Sequence, residues 1–124
     1  MEFERDKTFL TGRFKSMGFA LKGAIKLITT EHSVMVQSSI AVLLIFAGFY
    51  FEISREEWLF QTLAIGLVLS IEGLNTAVEK IADFIHPEFH DRIGFIKDIA
   101  AGAVFFAALT SIAIGCIIYI PKFL

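Results

Sequence analysis

The chain is 124 residues long, 56% of them apolar, with 14 phenylalanines. A water-soluble domain of this length has too little interior for that much apolar surface, so the composition reads as a membrane protein with room for one domain, 1–124. A formal net charge of −2 argues against a nucleic-acid partner, and the single cysteine, Cys116 inside an apolar run, excludes an internal disulfide.

The opening residues, MEFERDKTFLTGRFK, mix both signs of charge. They lack the cationic start, apolar middle and small-residue site of a cleavable signal peptide. Over about 10–31, Phe14, Met17, Leu21, Ile25 and Ile28 recur at helical period, with Arg13, Lys15, Lys22 and Lys26 on the other sides. This predicts an amphipathic helix in the membrane interface, its cations near lipid phosphates; the competing reading is a soluble helix packed on its own protein. A first membrane span is expected over about 33–52, containing the uncharged run SVMVQSSIAVLLIFAGFYF, followed by the short acidic loop EISREEW. The second, about 58–83, begins at Trp58 and reaches full length only by including Glu72, Asn75, Glu79 and Asp83. The third, about 98–121, is uncharged from Ile99 onward. Trp58 and Tyr119 suit an interfacial aromatic belt, and Pro87 and Pro121 are expected at segment ends, as helix breakers. The fold class is therefore all-α: an N-terminal amphipathic interfacial helix plus three transmembrane helices.

Lys and Arg set the orientation. Of 11 such residues, Arg5, Lys7, Arg13, Lys15, Lys22, Lys26, Lys80, Arg92 and Lys97 share one side, leaving Arg55 and Lys122 for the other. By the positive-inside rule the N-terminus and the second loop are cytoplasmic and the C-terminus is outside.

The stretch SIEGLNTAVEKIADFI poses the functional question. Offsets of three, seven and eleven from Glu72 put Asn75, Glu79 and Asp83 on one helical stripe. At 1.5 Å of rise per residue, Glu72 lies roughly 20 Å from Trp58 and Glu79 roughly 30 Å, so Glu72 is in the inner leaflet and Glu79 near the cytoplasmic interface. An acidic residue at the depth of Glu72 marks a functional site by default. Glu31, Lys97 and Asp98 converge on the same side. Glu31 and Glu79 could supply oxygens to a hard cation such as Mg²⁺, Lys97 a point charge for phosphates, and Glu72 a general base for a lipid hydroxyl. These parts suit a phosphoryl transferase acting on a membrane lipid. For Lys80, Asp83 and Arg92 the favoured reading is snorkelling or helix-bridging. The alternative function is a small proton-coupled transporter or channel subunit that uses Glu72. Paired His/Cys spacing for zinc is absent, as is any glycine-rich nucleotide loop.

EGLNTAVEKIAD, the histidine that follows, and KDIAAGAV together resemble the signature of the prokaryotic diacylglycerol kinase family, which includes undecaprenol kinases. The resemblance covers nearly the whole chain, including LKG and Glu31. It implies a homotrimeric lipid kinase of the bacterial cytoplasmic (inner) membrane, with cytoplasmic active sites at subunit boundaries and MgATP as donor. The acceptor it implies is diacylglycerol, giving phosphatidate, or undecaprenol, giving undecaprenyl phosphate. Carried over by residue, Glu72 matches the catalytic base, Asn75 a supporting polar residue, and Glu31 and Glu79 the metal-binding carboxylates. Glu88, Phe89, His90, Gly94, Lys97 and Asp98 match positions around the nucleotide, as does Phe19. Phe19 and Phe89 stand where the best-known diacylglycerol kinases have tyrosines. Ala101 replaces a serine near the lipid. The endings AAGAV and IYIPKFL look more like undecaprenol kinases.

Overall fold

The computed structural model describes residues 9–124, so Arg5 and Lys7 lie outside the described residues. Four helices follow in order: α1 (Phe9–Thr30), α2 (His32–Tyr50), α3 (Arg55–Ile85) and α4 (Asp91–Phe123). The last three are each long and apolar enough to cross a membrane.

The ends of the helices explain the path of the chain. Between α1 and α2 the break is a single residue, Glu31, whose backbone is extended (φ −100°, ψ 116°). Neither Gly nor Pro forces this corner. The preceding threonines weaken the helix there: Thr29 and Thr30 hydroxyls donate back to the Ile25 and Lys26 carbonyls at 2.7 and 2.5 Å. At the far end of α2, Glu52 adopts φ 51°, the left-handed region usually given to glycine. The Ile53 N–H reaches the Gly48 carbonyl at 3.1 Å and the Glu52 N–H reaches Phe49 at 3.3 Å, a Schellman ending. Gly48 has to be small, because a Cβ there would stand 2.6 Å from Trp58, whose ring leans on Phe49.

Helix α3 starts with a capping box: Glu57 N–H donates to Ser54 Oγ at 3.1 Å and Ser54 N–H to Glu57 Oε1 at 2.9 Å. It therefore begins earlier than the apolar run at Trp58. It ends one residue before His86, which precedes Pro87 and is extended (φ −148°) as a pre-proline residue should be. In the loop, His86 Nδ1–H donates to the Glu88 carbonyl at 2.6 Å. Helix α4 extends past the expected stop, with Pro121 inside its last turn. Proline fixes φ near its helical value and so close to the end forfeits one backbone hydrogen bond, which helical geometry survives.

Helices α3 and α4 pack as the most extensive pair and run antiparallel, joined by Lys122–Glu57 at one end and Lys97–Asp83 at the other. Near the first end, buried Gln61 ties three helices: its Nε2 donates to the Leu44 carbonyl at 3.1 Å, and Tyr119 Oη donates to its Oε1 at 2.5 Å. The apolar core is thin, built from Val34, Ala41, Ile53, Ala64, Val68, Ala82, Ala107 and Ile118. Most large apolar side chains face outward, including the stripe Phe14, Met17, Leu21, Ile25 and Ile28 on α1. That stripe is not spent on packing within the chain.

Candidate active site

One face of α3 is buried, and it repeats at intervals of three or four: Gln61, Ala64, Val68, Glu72 and Thr76. Glu72 belongs to that face and is only 6% exposed. The acidic stripe expected from the sequence peels away from it, with Asn75 half-buried and Glu79 and Asp83 exposed. Among the described residues no hydrogen bond or ion pair holds the Glu72 carboxylate. Asn75 Nδ2 donates to Glu79 Oε1 at 3.0 Å, while Asn75 Oδ1 is buried without a partner. An acceptor-rich spot therefore lies within one turn of α3, suited to a group that brings a hydrogen-bond donor.

Glu31 reaches this region from the corner between α1 and α2. Its Oε1 lies 3.2 Å from Lys80 Nζ of α3. Around that pair a groove of about 500 Å³ runs between the end of α1 and α3, lined by Gly23, Lys26, Leu27, Thr30, Glu31, Gly73, Thr76, Ala77 and Lys80. Gly73 allows the approach, since a Cβ there would stand 3.0 Å from Leu27 Cδ1. Thr76 is buried on the Glu72 face and also lines the groove, as does Gly73, so the groove comes within one turn of Glu72.

A second cavity, of about 300 Å³, lies under the loop between α3 and α4. It is lined by His86, Pro87, Glu88, Phe89, Ile93, Gly94, Lys97 and Asp98. Five of the residues expected around the nucleotide thus meet in one place. Lys97 Nζ also contacts Asp83 Oδ1 at 2.6 Å. His90 does not line the cavity: it caps α4, its Nδ1 accepting from the Arg92 N–H at 3.1 Å. Phe19, 47% exposed on α1, lines neither cavity, and Ala101 is exposed on α4 one turn past Lys97.

Among the described residues there is no cluster of three or more His, Cys, Asp or Glu side chains able to hold a metal. Glu31 and Glu79 are instead held separately, by Lys80 and Asn75. Two carboxylates that leave most coordination positions to other ligands suit Mg²⁺, which keeps waters and takes phosphate oxygens. Lys80 and Asp83 read in the sequence as snorkelling or bridging residues. Their partners, Glu31 and Lys97, are two of the residues expected in the site, but only the register of the helices reveals it. Thr76, buried beside the site, carries no charge to mark it in the sequence; its one legible signal is the spacing of four from Glu72.

A model of the family described as prokaryotic diacylglycerol kinase matches residues 18–119. This chain belongs to the prokaryotic diacylglycerol kinase family. As a member it is a lipid kinase, an enzyme of ATP-dependent phosphoryl transfer embedded in a membrane by its three apolar helices. The transporter reading is set aside. The chain is similar to the undecaprenol kinase of Bacillus subtilis, 35% identical over 122 residues that cover 98% of this chain and 99% of the relative. It is similar to the diacylglycerol kinase of Escherichia coli, 27% identical over 112 residues, 90% of this chain and 91% of the relative. The diacylglycerol kinase of Haemophilus influenzae is 30% identical over 100 residues, 81% and 85% of the two chains.

Proposed function

We propose that this lipid kinase transfers the γ-phosphate of MgATP to the hydroxyl of a membrane lipid, with undecaprenol the preferred acceptor and diacylglycerol the second. The observation that carries the reading is Glu72, a buried carboxylate in a membrane-spanning helix with no partner among the described residues. Its place in an apolar span favours a proton donor carried by a membrane lipid. Glu72 takes the proton from that hydroxyl as its oxygen attacks the γ-phosphorus, and ADP departs with the bridging oxygen. Asn75, whose free Oδ1 lies a turn away, orients the acceptor and through Nδ2 holds Glu79.

Glu31 and Glu79 would hold Mg²⁺, which neutralises charge on the transferring phosphates. Lys97 places its ammonium against those phosphates, and Glu88, Phe89, Gly94 and Asp98 shape the nucleotide cavity with it. Phe19 and His90 belong to the nucleotide end as well, His90 by fixing the first turn of α4. Phe89 offers a stacking face without a hydroxyl. Ala101, exposed on α4, faces the acceptor lipid. Preference for undecaprenol is supported by the near full-length similarity to an undecaprenol kinase and by the AAGAV and IYIPKFL endings. The enzyme works as a homotrimer in the bacterial inner membrane, its N-terminus, α1 and site cytoplasmic and its C-terminus outside, as the distribution of Lys and Arg supports.

Purified protein in detergent, given labelled ATP and each lipid in turn, provides the test. Labelled undecaprenyl phosphate forming faster than labelled phosphatidate is the expected result. The reverse order would transfer the assignment to diacylglycerol, and labelling of neither would overturn the kinase chemistry proposed for the site.

A further inference from the structure

Asp83 closes the acidic stripe of α3, and the chemistry above gives it no task. Its Oδ1 lies 2.6 Å from Lys97 Nζ, so the last turns of α3 grip the lysine that α4 sends into the nucleotide cavity. An ion pair whose side chains are 59% and 37% exposed contributes little to stability, so joining the helices is a weak reason for it. Restraining the lysine is a stronger one. A lysine carries its charge on a flexible four-carbon stem, and a short, charge-assisted contact removes most of that freedom. The ammonium has three N–H donors. Asp83 takes one, and two remain for phosphate oxygens.

We propose that Asp83 is a positioning residue for phosphoryl transfer, holding Lys97 by one donor so that the other two are presented to the nucleotide phosphates. The proposal rests on the reading of Lys97 as the phosphate-binding cation. Because Asp83 stays bound while Lys97 works, its contribution is to alignment at the reacting phosphate more than to the capture of ATP.

The test compares wild type, Asp83→Ala, Asp83→Glu and Lys97→Ala in lipid nanodiscs. Removing the tether is expected to lower kcat about tenfold, with the KM for ATP changed less than about twofold, as misplacement without lost charge should do. The thermal midpoint should not move, since the position is exposed, and Asp83→Glu should restore most of kcat. In a Lys97→Ala background, Asp83→Ala should leave the residual rate of phosphoryl transfer unchanged, because the residue acts only through Lys97. Unchanged kcat in Asp83→Ala, or a loss of kcat that tracks a fall in thermal midpoint, would overturn the positioning role. A full additional effect in the Lys97→Ala background would do the same. If Lys97→Ala itself keeps both kcat and ATP affinity, the nucleotide reading of the site fails along with it. A silent Asp83→Ala beside an inactive Lys97→Ala sinks the role of Asp83 alone.

Discussion

Gln61 and Glu72 sit on the same buried face of α3, three turns apart, and their surroundings differ. Gln61 is 3% exposed and its amide shares hydrogen bonds with Leu44 and Tyr119; Glu72 is 6% exposed and its carboxylate has no partner among the described residues. An amide satisfied in this way is structural, whereas a lone carboxylate costs stability and is retained for what it does. Glu72→Gln should therefore keep or slightly raise the thermal midpoint while lowering turnover by about 10²–10⁴-fold, the usual contribution of a general base. A kinase assay paired with thermal unfolding in the same detergent checks both halves. The sequence offered the residue, because charge in an apolar run is visible in one dimension. It did not offer the lack of a partner, which depends on what α2 and α4 bring alongside. A second residue-scale expectation concerns Glu52, held at φ 51° without glycine's freedom. Glu52→Gly should stabilise the protein by about 0.5–1 kcal/mol, because removing Cβ strain outweighs the added entropy of the unfolded chain. A rise in the unfolding midpoint with unaltered kinase activity is the measurement.

Helix α3 carries almost every polar device in the molecule, in a definite order along its length. Its capping box and the Glu57–Lys122 pair mark one end, the Gln61–Tyr119 knot follows, and Glu72, Asn75, Glu79 and Asp83 occupy the other half. The knot fixes α4 against α3 far from the chemistry. Tyr119→Phe should cost about 0.6–1 kcal/mol, the range of an interhelical hydrogen bond inside a membrane, and leave kcat and both KM values unchanged. Thermal unfolding alongside lipid kinase kinetics measures this. At this scale the apolar runs located the helices but not their ends. The helices continue beyond the apolar stretch wherever polar residues can still cap them, as Ser54 and His90 do. Pro121 extends α4 in the same sense: a breaker in the sequence is tolerated when only a couple of residues follow it.

Taken whole, the chain leaves most of its large apolar side chains outside its own thin core: α1 buries none of its residues, and α4, the longest span, buries only Ala107 and Ile118. Lipid covers part of this surface, and the proposed homotrimer covers more. Brief cross-linking in native membranes should give a ladder that stops at three copies, detected by immunoblot; a ladder stopping at two would refute that stoichiometry. Membrane class was legible from composition because burial capacity scales with length. The register that sets Asp83 opposite Lys97 and Lys80 opposite Glu31 was not, since it arises from packing between helices whose outward faces look alike in sequence.

The corner at Glu31 has a mechanical side. No glycine, proline or side-chain cap holds the angle there, so it is kept by what α3 presses on the α1 arm and the corner: Gly73 against Leu27, and Lys80 on the carboxylate itself. The residue works as an elbow, and the tilt of α1 and the placement of the Glu31 carboxylate are one variable. Alanine at 31 would remove a charge and also invite the two arms to join into a single straight rod, because alanine is the strongest helix former. Glutamine keeps the reach and the bend, and so isolates the charge.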